Sequence, residues 1–300
     1  MNVKVGAAII KKIGKNLEDK ACLVFICIIM SLSIIAIIAC DNTYVKYVSA
    51  DQIVEELGKS YIHFEGIGYI ESAWIYSQYA EDKIADFHIH LSEKPKDITY
   101  GFDLSAINNN KHAAKELFMT ELRGLKDNHR ELFDSLASFN RSARFNINSD
   151  NDTITAIVML SPHDIKEALS RPPYKDNSEL GLDVFCRTMN ITLPILVDKY
   201  TKWMSVILDQ NYVIFKYEIN DSNSPVYNWN LVQLKQKLTT QYGQTFDSIE
   251  KILWNVVETD RGMKYVYSGT YSGKTAVITI NEKELKDIYF TFYRSKRLNL

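Results

Sequence analysis

The chain has 300 residues, 46% of them hydrophobic and 12% aromatic, and its 35 basic residues are balanced by 37 acidic ones. That composition excludes a disordered chain, and the absence of a basic excess excludes nucleic acid as a partner. Glycine and proline are few, so long regular elements around a packed core are expected.

Five lysines (Lys4, Lys11, Lys12, Lys15, Lys20) precede an uncharged run from Ala21 to Cys40. As a helix this run spans about 30 Å, one hydrocarbon core. The lysine asymmetry predicts residues 1–20 in the cytoplasm, 21–40 in a bacterial inner membrane and 41–300 in the periplasm. The run ends Ile37-Ile38-Ala39-Cys40-Asp41. These five residues resemble the lipobox of bacterial lipoprotein signals, which implies lipidation at Cys40. The apolar run exceeds a signal-peptide core, which argues instead for an uncleaved signal anchor. Either reading makes membrane lipid a partner through residues 21–40. Beyond Cys40 the only cysteine is Cys186, so residues 41–300 contain no internal disulfide. Its apolar neighbours Val184, Phe185 and Met189 suggest a small buried residue rather than a nucleophile.

Ser49-Ala-Asp-Gln52 is a capping-box pattern ahead of Ile53, Val54 and Leu57, and it predicts a short helix stopped at Gly58. Tyr61–Ala80 is aromatic and β-rich. Ala85, Phe87, Ile89 and Leu91 alternate with Asp86, His88 and His90, the pattern of a half-buried strand. Residues 109–139 are expected to be helical. Ala143–Asn148 and Thr153–Leu160 read as a hairpin, Ser161-Pro162 as a helix start, and 170–178 as a linker.

The second half repeats this order: helix over 179–190, strands over 203–208 and 212–220, helix over 229–256, a hairpin over 262–280 and a capping box at Asn281–Glu284. Thr155-Ala-Ile-Val158 matches Thr275-Ala-Val-Ile278 at a shift of 120, and Phe87–Leu91 falls on Phe215–Ile219 at a shift of 128. Trp74 and Trp203 both open a strand pair. The expected fold is therefore α+β: a membrane helix, then two tandem β-β-α-β-β repeats (49–170 and 179–293), each an antiparallel sheet packed on helix.

Leu193-Pro-Ile-Leu-Val-Asp198, the strand through Phe215-Lys-Tyr217 and Gly262-Met-Lys-Tyr-Val-Tyr267 together resemble bacterial exported proteins and lipoproteins of unknown function. These share an L-P-x-x-V-D opening, and the likeness covers about residues 180–290. It implies export but no activity or catalytic residue.

No residue pattern signals catalysis. His88 and His90 share one side of a strand, but that side is the solvated one, and H-E-x-x-H and C-x-x-C patterns are missing. Gly66-Ile-Gly68 lacks the third glycine and the following helix of a phosphate cradle. No metal and no cofactor are expected. The aromatic residues Trp74, Tyr76, Trp203, Tyr265 and Tyr267 are the candidates for a ligand-binding face. The expected function is non-catalytic: an anchored module contacting another envelope protein. The alternatives are a small-ligand-binding domain with an apolar pocket between helix and sheet or, last, a hydrolase.

Overall fold

The computed structural model describes residues 49–65, 67–75, 84–91, 104–148, 155–223 and 225–298. The candidate membrane segment 21–40, Cys40, Tyr76 and Gly66 lie outside them. Among the described residues no helix is long and apolar enough to cross a membrane. For the described residues this corrects the expectation of a membrane helix and, with it, of a placement at an inner membrane.

The predicted cap at Ser49 forms: its hydroxyl accepts the Gln52 N–H at 3.3 Å and opens α1 (Ala50–Lys59). Ile53, Val54 and Leu57 make the buried stripe of α1. Strands β1 (His63–Phe64), β2 (Gly68–Ile75) and β3 (Ile84–Leu91) follow. Three helices come next: α2 (Leu104–Asn109), α3 (Lys111–Gly124) and α4 (Asp127–Ser138). Asn110 separates α2 from α3, its side chain capping α3 by accepting the Ala113 N–H, and the region expected to be helical over 109–139 is broken at Leu125–Lys126, between α3 and α4. Strands β4 (Ser142–Asn148) and β5 (Thr155–Leu160) and helix α5 (Pro162–Ser170) complete the first half.

The second half comprises α6 (Asn177–Thr192), β6 (Ile195–Leu196), β7 (Thr201–Leu208), β8 (Tyr212–Ile219), α7 (Leu231–Gln244), α8 (Phe246–Glu258), β9 (Gly262–Gly269), β10 (Thr275–Ile280) and α9 (Glu282–Leu298). Thr245 alone separates α7 from α8. The Leu-Pro-x-x-Val-Asp opening is the turn at β6. Leu193 is buried, the Leu193–Pro194 bond is cis, and the Asp198 carboxylate accepts the N–H groups of Tyr200 and Thr201 at 2.7 and 2.8 Å.

Each half forms one five-stranded sheet, ordered β1-β2-β3-β4-β5 and β10-β9-β8-β7-β6. β3 pairs with β4, and β8 with β9, in parallel; every other pairing is antiparallel. The expected β-β-α-β-β repeat with antiparallel sheets is therefore wrong. The helices between β3 and β4, and between β8 and β9, carry the chain back to the same end of the sheet, which makes the joined strands parallel. The extra strands β1 and β6 are two residues long, too short to show alternation. Both crossovers end alike. After α4 the N–H of Arg141 reaches Leu136 O, and after α8 that of Arg261 reaches Val256 O. Asn140 (φ 55°) and Asp260 (φ 53°) take the left-handed position that closes each helix.

The halves meet where α6 lies on α3. Gly124 permits the approach: a Cβ there would sit 2.7 Å from Leu180. Arg187 pairs with Glu116 at 3.4 Å, and the Arg123 guanidinium stacks 3.9 Å above the Tyr174 ring. Within the second half, Asp221 fastens the chain after β8 to the β9–β10 turn. Its carboxylate accepts the N–H groups of Tyr271, Ser272 and Val226. The Ser272 hydroxyl first, and then those N–H groups against the opposing effect of burial, hold its pKa down to about 2.

Candidate functional site

Register places equivalent rows of side chains on the inner faces of the two sheets. In the first, Ile70 lies opposite Ile89, and Ile89 beside Ile147; Phe87 lies beside Phe145. In the second, Trp203 lies opposite Tyr217, and Tyr217 beside Tyr267; Phe215 lies beside Tyr265. A bulge follows Ile70 in one sheet and Trp203 in the other, so Ile70, and not Trp74, is the counterpart of Trp203. A row of three isoleucines thus stands where the second half has a tryptophan and two tyrosines.

Among the described residues of the first half, phenylalanine rings pack over the sheet. Phe64, Phe87, Phe118, Phe133 and Phe145 are completely buried. Phe145 lies 4.7 Å from Phe118, 5.2 Å from Phe87 and 5.9 Å from Phe64, ring centre to ring centre. In the second half the rings stack along the sheet instead: Trp203 on Tyr217 at 5.9 Å, Tyr217 on Tyr267 at 5.1 Å, Phe215 on Tyr265 at 5.0 Å. By register the counterpart of Phe64 is Val197, whose N–H reaches Thr201 O, and Val197 is 56% exposed. No side chain from β6 plugs this half as Phe64 plugs the other.

A pocket of about 210 Å³ remains. Its sheet wall is Trp203, Phe215, Tyr217, Met263 and Tyr265. Its helix wall is Phe185 from α6, Leu238, Gln241 and Tyr242 from α7, Thr245 at the junction, and Ile249, Ile252 and Leu253 from α8. Charged side chains are missing from this lining. Tyr242 and Tyr265 satisfy each other through a short hydroxyl–hydroxyl bond, and the Tyr242 hydroxyl also lies 3.1 Å from Met263 Sδ. Burial raises the Tyr242 phenol well above its ordinary pKa against the lowering effect of Tyr265, so it stays neutral. Trp203 differs: its indole Nε1 is buried and has no hydrogen-bond partner.

The candidate residues divide accordingly. Trp203 and Tyr265 line the pocket. Tyr267 adjoins it, stacked on Tyr217, with its phenol pushed up to about 12 by burial. Trp74 lies on β2, in the other sheet, with its backbone opposite Asp86, so the structure does not bring it to this site. Tyr76 and Cys40 fall outside the described residues. Tyr242 went unnoticed in the sequence, although it follows Leu238 by four and so shares its helix face. Leu231, the first residue of α7, is exposed.

No family model matches the chain, and no curated protein does. A solved structure from Pseudomonas aeruginosa, of a protein described as secreted, aligns with 37% of this chain and 99% of its own. The two share 8% identity at a TM-score of 0.30. A likeness at that level leaves function to be argued from this chain itself.

Other constellations stay structural. Among the described residues no group of three or more His, Cys, Asp or Glu is placed to hold a metal ion. His88 and His90 are half-buried on the outer face of the first sheet, beside Asp86, which Arg144 grips through two bonds of 2.5 and 2.6 Å. Burial above all pushes the Cys186 thiol up to about 12, which leaves no thiolate near neutral pH.

Proposed function

We propose that the second half of the molecule is a non-catalytic binding module for a small, largely apolar ligand held between the inner face of its sheet and helices α7 and α8. The observation that carries this reading is the uncharged, aromatic-rich pocket of about 210 Å³. A cavity of about 150 Å³ accepts benzene, so this one suits a ring with a small substituent. Its lining offers no carboxylate, imidazole or thiol, and the Tyr242 phenol is held neutral, so groups for acid–base or nucleophilic work are not supplied there. A thermal-shift screen of small neutral aromatic compounds tests the reading, because a ligand that binds only the folded chain raises its melting temperature. Ring-sized compounds are expected to raise it; a flat response across the panel would sink the proposal.

A second reading, contact with another copy of the chain, is favoured by the exposed apolar residues Ile195, Leu196, Val197 and Tyr200 around the edge strand β6. Sedimentation over a range of concentrations tests it, and a monomer throughout removes it.

A further inference from the structure

We propose that the pocket receives one phenylalanine side chain of another protein, presented on an extended segment that lies along the free edge of β6. The proposal rests on the binding reading above and names the occupant, a polypeptide rather than a free small molecule.

The first half shows what belongs in this space. Phe64, on β1, holds its ring 5.9 Å from both Phe118 and Phe145. The shift of 120 residues carries those two onto Leu238 and Tyr265. Ion pairs bear out the equivalence: Lys115 meets Asp164 at 2.7 Å, and Lys235 meets Glu284 at 2.6 Å. Leu238 and Tyr265 both line the pocket, so it occupies the place of the Phe64 ring. The closing contact also differs. Glu121 on α3 accepts the Glu65 N–H at 2.9 Å and ties the chain after β1 to the helix. Gln241 stands at the Glu121 position, exposed at the pocket wall. Asp198 instead accepts from Tyr200 and Thr201, so the chain after β6 turns on itself.

Two observations make the occupant a polypeptide. Ile195 lies directly opposite Trp203 and shares the pocket's face of the sheet, as does Val197 two residues on. They are 41% and 56% exposed, whereas their counterparts Ile62 and Phe64 are completely buried. A ring held wholly inside the pocket leaves both in water; a chain crossing the mouth covers them. β6 also ends its sheet. Because the Val197 N–H reaches Thr201 O, alternation turns the N–H and C=O of Leu196 away from β7, toward that open edge. Such groups are met by another backbone. The uncharged lining rejects an ionised side chain, and about 210 Å³ suits one phenyl ring. Among the described residues the one exposed phenylalanine, Phe290, lies within α9, which is no extended segment, so the donor is a different protein.

Calorimetry on the full chain with three probes tests this: toluene, the end-capped pentapeptide Thr-Thr-Phe-Thr-Thr, and the same peptide with alanine at its centre. The phenylalanine peptide is expected to bind about 10- to 100-fold more tightly than the alanine peptide, the worth of burying one such side chain. It is also expected to exceed toluene by about tenfold, through the covered rim. In the double variant Ile195→Ser/Val197→Ser the peptide should lose about tenfold, while toluene stays within about twofold. Both positions are exposed, so the fold should survive the change. Toluene binding as tightly as the peptide overturns the polypeptide and leaves the pocket standing. Equal losses of peptide and toluene in the double variant overturn the role of the rim. A dimer that the double variant abolishes, with no peptide bound, overturns the proposal in favour of a second copy. If neither toluene nor peptide binds and the chain stays monomeric, the underlying binding reading falls as well.

Discussion

The two sheets have the same strand order and pairing directions, yet one covers a sealed core and the other a pocket. The first is filled by phenylalanines, with Phe64 driven into the space before Phe118 and Phe145. The second carries Trp203, Tyr217, Tyr265 and Tyr267 on matching rows, with the short, exposed Val197 at the Phe64 position. The lesson is that topology fixes where a core can form, while a few side chains decide whether it closes. Phenylalanine asks nothing of its neighbours except contact. Tyrosine and tryptophan bring polar atoms that need partners, and open space is one place to find them.

The comparison breaks or sharpens under mutation. Phe145→Ala should cost about 3–5 kcal/mol in urea unfolding, and Tyr265→Ala clearly less, since Tyr265 already borders open space. Equal costs would erase the distinction between a full and an open core. Val197→Phe should place a plug where the first half has Phe64. A compound that stabilises the unaltered chain by about 2.7 kcal/mol at a hundred times its Kd should then lose most of that effect, read as a vanished thermal shift. A persisting shift would mean that Val197 does not answer to Phe64. Tyr265→Phe should cost about 1 kcal/mol through the lost bond to Tyr242, whereas Phe145→Tyr, which buries a hydroxyl in a sealed core, should cost about 1–3 kcal/mol. The reverse ranking in denaturant titrations would contradict the partition of polar atoms proposed here.

A pH dependence carried by Asp221 is also expected. The Asp221 carboxyl is held down to about 2 from a reference of 3.8. A depressed acid contributes its full stability above the unfolded value and loses it as the folded site takes up a proton. The contribution should therefore be complete above about pH 4 and fade as pH falls toward about 2. Asp221→Asn should flatten that part of the stability curve, and an unchanged acid limb would show that the carboxylate is not a latch.

Much of the local structure was legible because its causes are local. Ser49, Ser161 and Asn281 announce helix starts, and each accepts the expected N–H. The alternation through Val213, Phe215, Tyr217 and Ile219 marks one face of β8 correctly. The mixed sheets were not legible, because the direction of a strand after a long helical crossover leaves no pattern in its own residues. The helix stops at Asn140 and Asp260 were missed because asparagine and aspartate hold the left-handed position more often given to glycine. The aromatic candidates were half right. Trp203 and Tyr265 were visible as strand aromatics, but the space they face depends on Phe64 and Val197, which sit at strands two residues long. Trp74 was chosen by residue type, and the register assigns its supposed partner to Ile70 instead.

The packing of α6 against α3 has a consequence for synthesis. Helix α6 opens the second half in sequence, yet it helps cover a helix of the first. A nascent chain that has emerged only as far as Ser170 exposes the side of α3 that Leu180 later meets across Gly124. The first half is therefore unfinished until residues 177–192 have left the ribosome.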